Sequence, residues 1–284
     1  MSGRTRAALV GAAVTLAPAT VAAAALTLAP ATVVSASAPA PAAPAFALRD
    51  ARVSPQHAYV AGRPVAVDFR IDAPAPLPLQ VDVVREATGR PVRRFALAAV
   101  APGVAQHVAW DALTGGGAAA PGGRYRVRVS VPGGTARNAG ALTLRSHIYP
   151  IRGRHADRGP IGAFGVGRTG GRVHEGFDVN AACGTAVVAA RGGVVMRAGY
   201  DPVLYGNIVI IRGEHTRRDY WYAHLLRASR RRPGDRARTG ERIGSIGATG
   251  NARTIGCHLH FELRSRGVPI DPAPELHAWD AWSR

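Results

Sequence analysis

At 284 residues the chain is longer than one ordinary core requires, so two modest domains and a processed leader are expected. The formal net charge is +18 and every one of the 36 basic residues is arginine. A field of that sign favours anionic partners such as an anionic cell-wall polymer, acidic lipid or nucleic acid, although an Ala-, Gly-, Pro- and Arg-rich composition also arises without selection for binding. Two cysteines, Cys183 and Cys257, suggest a single disulfide more than a metal site in an exported chain.

Arg4 and Arg6 precede an uncharged stretch from Ala7 to Leu48 that passes through small residues at Ala36, Ser37 and Ala38. This is the pattern of an export signal, expected over 1–38. The apolar run is also long enough for an uncleaved membrane anchor, against which Pro18 and Pro30 count. "TLAPATV" occurs from Thr15 and again from Thr27, a low-complexity duplication without fold information. A Pro/Ala linker is expected over 39–47. Past it no apolar segment is long enough to span a bilayer, so the protein is expected to be secreted or cell-wall associated, with no membrane contact beyond that anchor.

From 48 to 146, short runs such as "RPVAVDFRI", "LQVDVVRE" and "GRYRVRVSV" alternate apolar and polar residues between Gly, Pro or Asp. Period two over several short runs marks half-buried strands, and the spacing suits a β-sandwich. "WDALTGGGAAAPGGRYRVRV", Trp110 to Val129, resembles the hairpin that closes the immunoglobulin-like domain of flagellar hook-capping proteins. The resemblance supports an immunoglobulin-like sandwich and implies nothing about catalysis; Trp110 and Tyr125 read as core anchors rather than a ligand platform. From 149 to 274 the segments "TAVVAA", "GVVMRAG", "GNIVIIRG", "RDYWYAHLL", "ERIGSIGA" and "CHLHFELR" are again strand-like, with no sustained helical repeat. The fold class expected is mainly β, with a second, antiparallel β-sheet domain and a C-terminal tail at 275–284.

In "CHLHFELR" residues i and i+2 share a face, so His258, His260 and Glu262 look one way while Leu259, Phe261 and Leu263 fill a core behind them. "YWYAHLL" adds His224 on another strand, read with Tyr220 and Tyr222 on its face. "VHEGFDVN" adds His174 and Asp178. Two histidines and a carboxylate are a set that Zn²⁺ accepts while keeping a fourth position for water, and two further histidines remain for proton transfer.

His174 and Asp178 as HxxxD, Tyr222 to Leu225 as YxHL and His258 to Glu262 as HLHFE occur in this order. "GTAVVAARGGVV", "YGNIVIIRG", "GERIGSIGATGN" and "GVPIDP" lie between and after them. Together they resemble the lysostaphin/LytM-type zinc endopeptidases, which cut peptide cross-links in bacterial peptidoglycan. The resemblance covers roughly 149 to 272. It implies that His174, Asp178 and His260 bind zinc while His224 and His258 act on water and substrate, with peptidoglycan peptides as partners. His258 is assigned as general base and His224 as donor to the oxyanion or the leaving amine, although the two roles could be exchanged. Glu262 either orients an imidazole or ends the strand as a solvated carboxylate. The Arg-rich insertion from Arg227 to Arg238 is less family-like and leaves the groove wall there undefined.

A bridge from Cys183 to Cys257 would tie the first ligand segment to the catalytic strand and stabilise the fold by about 4 kcal/mol; thiolate ligation of zinc is the rival reading. His57, His107, His147, His155, His215 and His277 fall in no ligand spacing and read as surface or loop residues. Arg217, Arg218, Arg230, Arg231 and Arg232 could steer an anionic wall polymer or form a solvated face. Nucleic-acid binding is not expected, because export separates the protein from cytoplasmic DNA and no aromatic platform interleaves with the basic run. A non-catalytic wall-binding or regulatory module is the alternative to a secreted endopeptidase.

Overall fold

The computed structural model describes residues 44–283; the expected leader, its anchor alternative and linker residues 39–43 lie outside the described residues. The first eight strands are β1 (Ala47–Ser54), β2 (His57–Tyr59), β3 (Val65–Asp72), β4 (Leu77–Arg85), β5 (Pro91–Val100), β6 (Gln106–Trp110), β7 (Gly123–Ser130) and β8 (Arg137–Arg145). They form two sheets, ordered β1-β3-β6 and β2-β8-β7-β4-β5, in which the β2–β8 pair is parallel and every other pair antiparallel.

The expected alternation is visible residue by residue. Val65, Val67, Phe69 and Ile71 of β3 face Leu79, Val81 and Val83 of β4 and Tyr125, Val127 and Val129 of β7 in one shared core. Each such fully buried side chain contributes about 1.5–3 kcal/mol relative to exposure. Phe46, read as linker, is buried in the same core. Trp110 and Tyr125 lie at its centre with ring centroids 5.3 Å apart. The indole of Trp110 donates to Leu113 O and the hydroxyl of Tyr125 to Pro121 O, so both polar tips are satisfied inside the fold.

The second half contains β9 (Ile151–Arg152), β10 (His155–Asp157), β11 (Phe177–Ala181), β12 (Ala186–Val188), β13 (Gly193–Asp201), β14 (Gly206–Gly213), β15 (Arg218–Leu225), β16 (Arg236–Ala237), β17 (Arg242–Ser245), β18 (His258–Ser265) and β19 (Val268–Ile270). The main antiparallel sheet runs β10-β11-β18-β15-β14-β13-β16, with β19 also paired to β18, and a small sheet runs β17-β12-β9. Val179, Val209, Ile211, Leu259, Phe261 and Leu263 fill the core between them. The hydroxyl of Thr239 joins the two halves: it accepts from Gly192 N at 2.8 Å and donates to Val60 O at 2.6 Å.

One further expectation changes. The segment read as a tail is a helix, α1 (Ala273–Ser283), whose Leu276 and Trp279 enter the second core. Asp271 accepts from Ala273 N and Pro272 follows it, a capped start for a helix. His147, read as a surface or loop residue, does lie in the loop between β8 and β9, where its ring is covered: it stacks on Trp279 with ring centroids 4.4 Å apart and meets the Tyr220 hydroxyl at 2.7 Å through Nε2. Burial, helped by the charges of Arg191 and Arg218, pushes its pKa from 6.5 down to about 3.

That shift carries a sign. Below about pH 6.5 the unfolded chain takes up a proton at His147 that the folded chain refuses until about 3, so stability is full above 6.5 and falls with pH across that window. In urea denaturation at about pH 4 and about pH 7, His147→Gln should reduce the acid-induced loss, by up to about 1.4 kcal/mol per pH unit. An unchanged slope would mean that the ring is not held neutral.

Candidate metal centre

The register of β11 against β18 sets Asp178 opposite His260 and Asn180 opposite His258. Opposed residues in an antiparallel pair share a face, so the carboxylate and both imidazoles emerge on the same side of the sheet. Leu259, Phe261 and Leu263 occupy the core behind, as the alternation requires.

His224 reaches this face by another route. Trp221 and Ala223 lie opposite Glu262 and His260, whereas Tyr220, Tyr222 and Leu225 belong to the core. Strict alternation would therefore send His224 inward with the two tyrosines, the face on which it was read. Its φ of 59° and the irregular register between β14 and β15 break the alternation and turn it outward. A left-handed backbone costs a non-glycine residue about 1–2 kcal/mol, a strain carried here by a buried side chain facing the other imidazoles. His224 has its ring 4.8 Å from that of His258 and 5.7 Å from that of His260.

The three expected ligands meet. His174 Nε2 is 2.8 Å from His260 Nδ1, and Asp178 Oδ1 lies 2.9 Å from His260 Nδ1 and 3.1 Å from His174 Nε2. Among the described residues this trio is the one cluster of histidine, cysteine or acidic side chains with metal-ligand geometry. These separations fall short of the about 3.3 Å edge of a tetrahedral zinc site by about half an ångström or less.

The outer ring nitrogens fix the tautomers. His174, His224 and His258 each place Nδ1 against a backbone carbonyl, of Ala163, Thr249 and Gly256 respectively, at 2.8, 2.9 and 2.8 Å. A carbonyl only accepts, so each Nδ1 carries the proton and each Nε2 keeps its lone pair. His260 is turned round: its Nε2 faces Glu262 Oε1 at 3.0 Å and its Nδ1 faces Asp178. Burial alone would lower the His260 pKa, but Asp178 and Glu262 outweigh it and raise it to about 9. Burial alone would raise Asp178, yet the His174 and His260 rings beside it hold it below the usual carboxylate range. The trio is thus a place that favours positive charge, and its donors fit zinc.

Glu262 is fully buried, which decides between its two readings: it orients His260. Behind it stands Arg264, which the sequence reading missed. Its Nε donates to Glu262 Oε2 at 2.7 Å, it also pairs with Glu175, and its guanidinium lies 4.2 Å from the Trp221 ring centroid. The signal was available, since Arg264 is one more step of two along β18. Burial, followed by the charges of His260 and His258, lowers His224 to about 3. His258 is also lowered, first by burial.

Cys183 and Cys257 are bonded to each other, so neither offers a thiolate. The site opens into a groove of about 770 Å³ whose lining includes Arg158, Arg168, Arg172 and Tyr205 and none of residues 227–238. The Arg-rich insertion instead supplies β16, at the opposite end of the sheet from β10. Gly176 explains the close fit beneath the trio: a Cβ there would stand 2.6 Å from Phe261 O and 2.7 Å from His260 Cε1. Gly176→Ala should therefore displace the His260 ring and cost about 1–3 kcal/mol on denaturation. A retained proton contact between the His174 and His260 rings in NMR spectra of a fully stable variant would contradict this.

Residues 172–272 match the profile of Peptidase family M23. The chain is 41% identical over 104 residues to DD-carboxypeptidase/endopeptidase Mpg of Neisseria meningitidis, covering 36% of this chain and 22% of that protein. It is 32% identical over 118 residues to murein hydrolase activator NlpD of Escherichia coli, covering 39% and 27%. The catalytic domain of lysostaphin from Staphylococcus simulans is 30% identical and aligns with 40% of this chain and 89% of its own, at a TM-score of 0.37. Curated relatives are matched over about a fifth to a third of their own length, between 20% and 36%. Residues 172–272, the segment that carries His174, Asp178, His224, His258 and His260, form a domain of Peptidase family M23.

Proposed function

We propose that the protein is a zinc-dependent endopeptidase acting outside the cytoplasm on peptide bonds of peptidoglycan stem peptides or cross-bridges. The observation that carries this reading is the convergence of His174, Asp178 and His260 with two further imidazoles, all buried at the floor of one groove. The endopeptidase named among the relatives supports it. An extracytoplasmic location is in keeping with the disulfide, and no helix among the described residues is long and apolar enough to cross a membrane.

In this reading His174 Nε2, Asp178 Oδ1 and His260 Nδ1 hold the metal. When bound, zinc supplies Lewis-acid chemistry, lowering the pKa of water and polarising a peptide carbonyl. His258 takes the proton from water at Nε2. Asp178 Oδ1 lies 3.9 Å from His258 Nε2 and steadies the charge the ring gains. His224 enters neutral with a free lone pair at Nε2, so it becomes a donor to the oxyanion or the leaving amine only after accepting a proton. Glu262 and Arg264 keep the His260 ring from turning.

Purified protein loaded with Zn²⁺ should release soluble peptides from cell walls, lose this activity to a chelator and regain it on metal addition. His258→Ala should retain zinc and lose about 10²- to 10⁴-fold in rate, whereas His260→Ala should lose the metal. Full activity of zinc-loaded His258→Ala would refute the proton-transfer role. A second reading, a non-catalytic regulator, is favoured by the relative named as a hydrolase activator. Zinc-loaded protein that cleaves no wall peptide but raises the activity of a separate hydrolase would establish it.

A further inference from the structure

Some arginines elsewhere on the protein meet carboxylates, such as Arg94 with Asp82, Arg124 and Arg126 with Glu86 and Arg212 with Asp219, but 36 basic residues against 18 acidic ones leave many without such a partner. What sets Arg158, Arg168 and Arg172 apart is their place, in the groove that ends at the histidines. Its acids are already committed, Glu175 and Glu262 to Arg264 and Asp178 to His174 and His260. Among the described residues, no carboxylate lies within 4 Å of Arg158 or Arg172, and Arg168 has only Asp178 Oδ2, at 3.7 Å.

Two of these side chains are held in position by other means. Arg158 donates to Asn180 Oδ1 at 3.3 Å and to Ile255 O at 3.4 Å, and Arg168 donates to Ile161 O at 2.8 Å. A guanidinium has five N–H donors, so each keeps donors to spare. Apolar, outward side chains stand beside them: Ile161 is 64% exposed and Ile255 51%, while Val173, next to Arg172, is 58% exposed. All six line the groove that ends at the histidines. Cations with donors to spare, alternating with exposed aliphatic side chains, complement a peptide that carries both carboxylates and small apolar side chains. They offer little to an uncharged run of glycine.

We propose that Arg158, Arg168 and Arg172 form a carboxylate-binding subsite that selects peptides bearing a free carboxylate close to the bond cut. This rests on the endopeptidase reading and narrows its substrate class to acidic stem peptides over neutral cross-bridges. A fixed guanidinium recognises a carboxylate by paired, charge-assisted hydrogen bonds, and a carboxamide of the same shape cannot replace the charge. Arg168 also touches a ligand of the trio, so Arg158 and Arg172 are the residues to vary.

The test uses two synthetic stem peptides that differ only in a side-chain carboxylate or carboxamide next to the scissile bond. Zinc-loaded wild type should favour the acid by about ten- to a hundredfold in kcat/KM, and the double variant Arg158→Gln, Arg172→Gln should bring that ratio near one. Arg172→Gln alone, at an exposed position, should lower the ratio in part and guards against a folding defect at Arg158. If wild type cuts both peptides equally, the subsite is refuted while the endopeptidase reading stands. If neither is cut, the endopeptidase reading fails and calorimetric binding of the same pair decides. A preference for the acid that the double variant loses sustains the subsite, and equal or absent binding overturns it.

Discussion

The pairing of β11 with β18 is the constraint on which the site depends. It sets Asp178 across from His260, and one register step in either direction would carry the carboxylate to the opposite face of the sheet. The register is held from behind by Val179, Leu259 and Phe261 in the core and from the end by the Cys183–Cys257 bridge. Gly176 lets the incoming chain pass close under the His260 ring. Packing of apolar side chains thus fixes polar ones that would otherwise repel or drift apart.

Burying five ionisable groups together is costly, and the fold offsets the cost with hydrogen bonds that also choose tautomers. Three imidazoles are pinned by carbonyls of loops that otherwise have little in common, at Ala163, Thr249 and Gly256. The fourth is pinned by Glu262, itself held by Arg264 over the Trp221 face. The chain therefore presents lone pairs toward the groove before any ligand arrives, the preorganisation that catalysis and metal binding both need.

Much of this was legible in the residues, for stated reasons. The strands follow period two, and His258, His260 and Glu262 share a face because β18 is regular. Sandwich residues such as Val65, Val67 and Phe69 obey the same rule. Where the backbone leaves the rule, reading fails: His224 has positive φ, and alternation placed it on the wrong side of β15. Helix α1 was invisible because its apolar residues, Leu276, Trp279 and Trp282, give too few repeats over 11 residues to announce a helix. The burial of His147 within its loop was hidden because Trp279 and Tyr220, which enclose it, are distant in the chain. Glu262 stayed ambiguous until its partner Arg264 and its burial were known.

The disulfide has a topological effect beyond the register. His174 and Asp178 precede Cys183, and His258 and His260 follow Cys257, so the bridge joins the two ligand-bearing stretches at the neck of a 74-residue span. A protease that nicks the Arg-rich turn between Arg227 and Arg238 therefore yields two fragments that stay covalently attached. The clipped protein would travel as a single species on a gel until a reductant separates it. Damage in the exposed span need not dismantle the centre it surrounds.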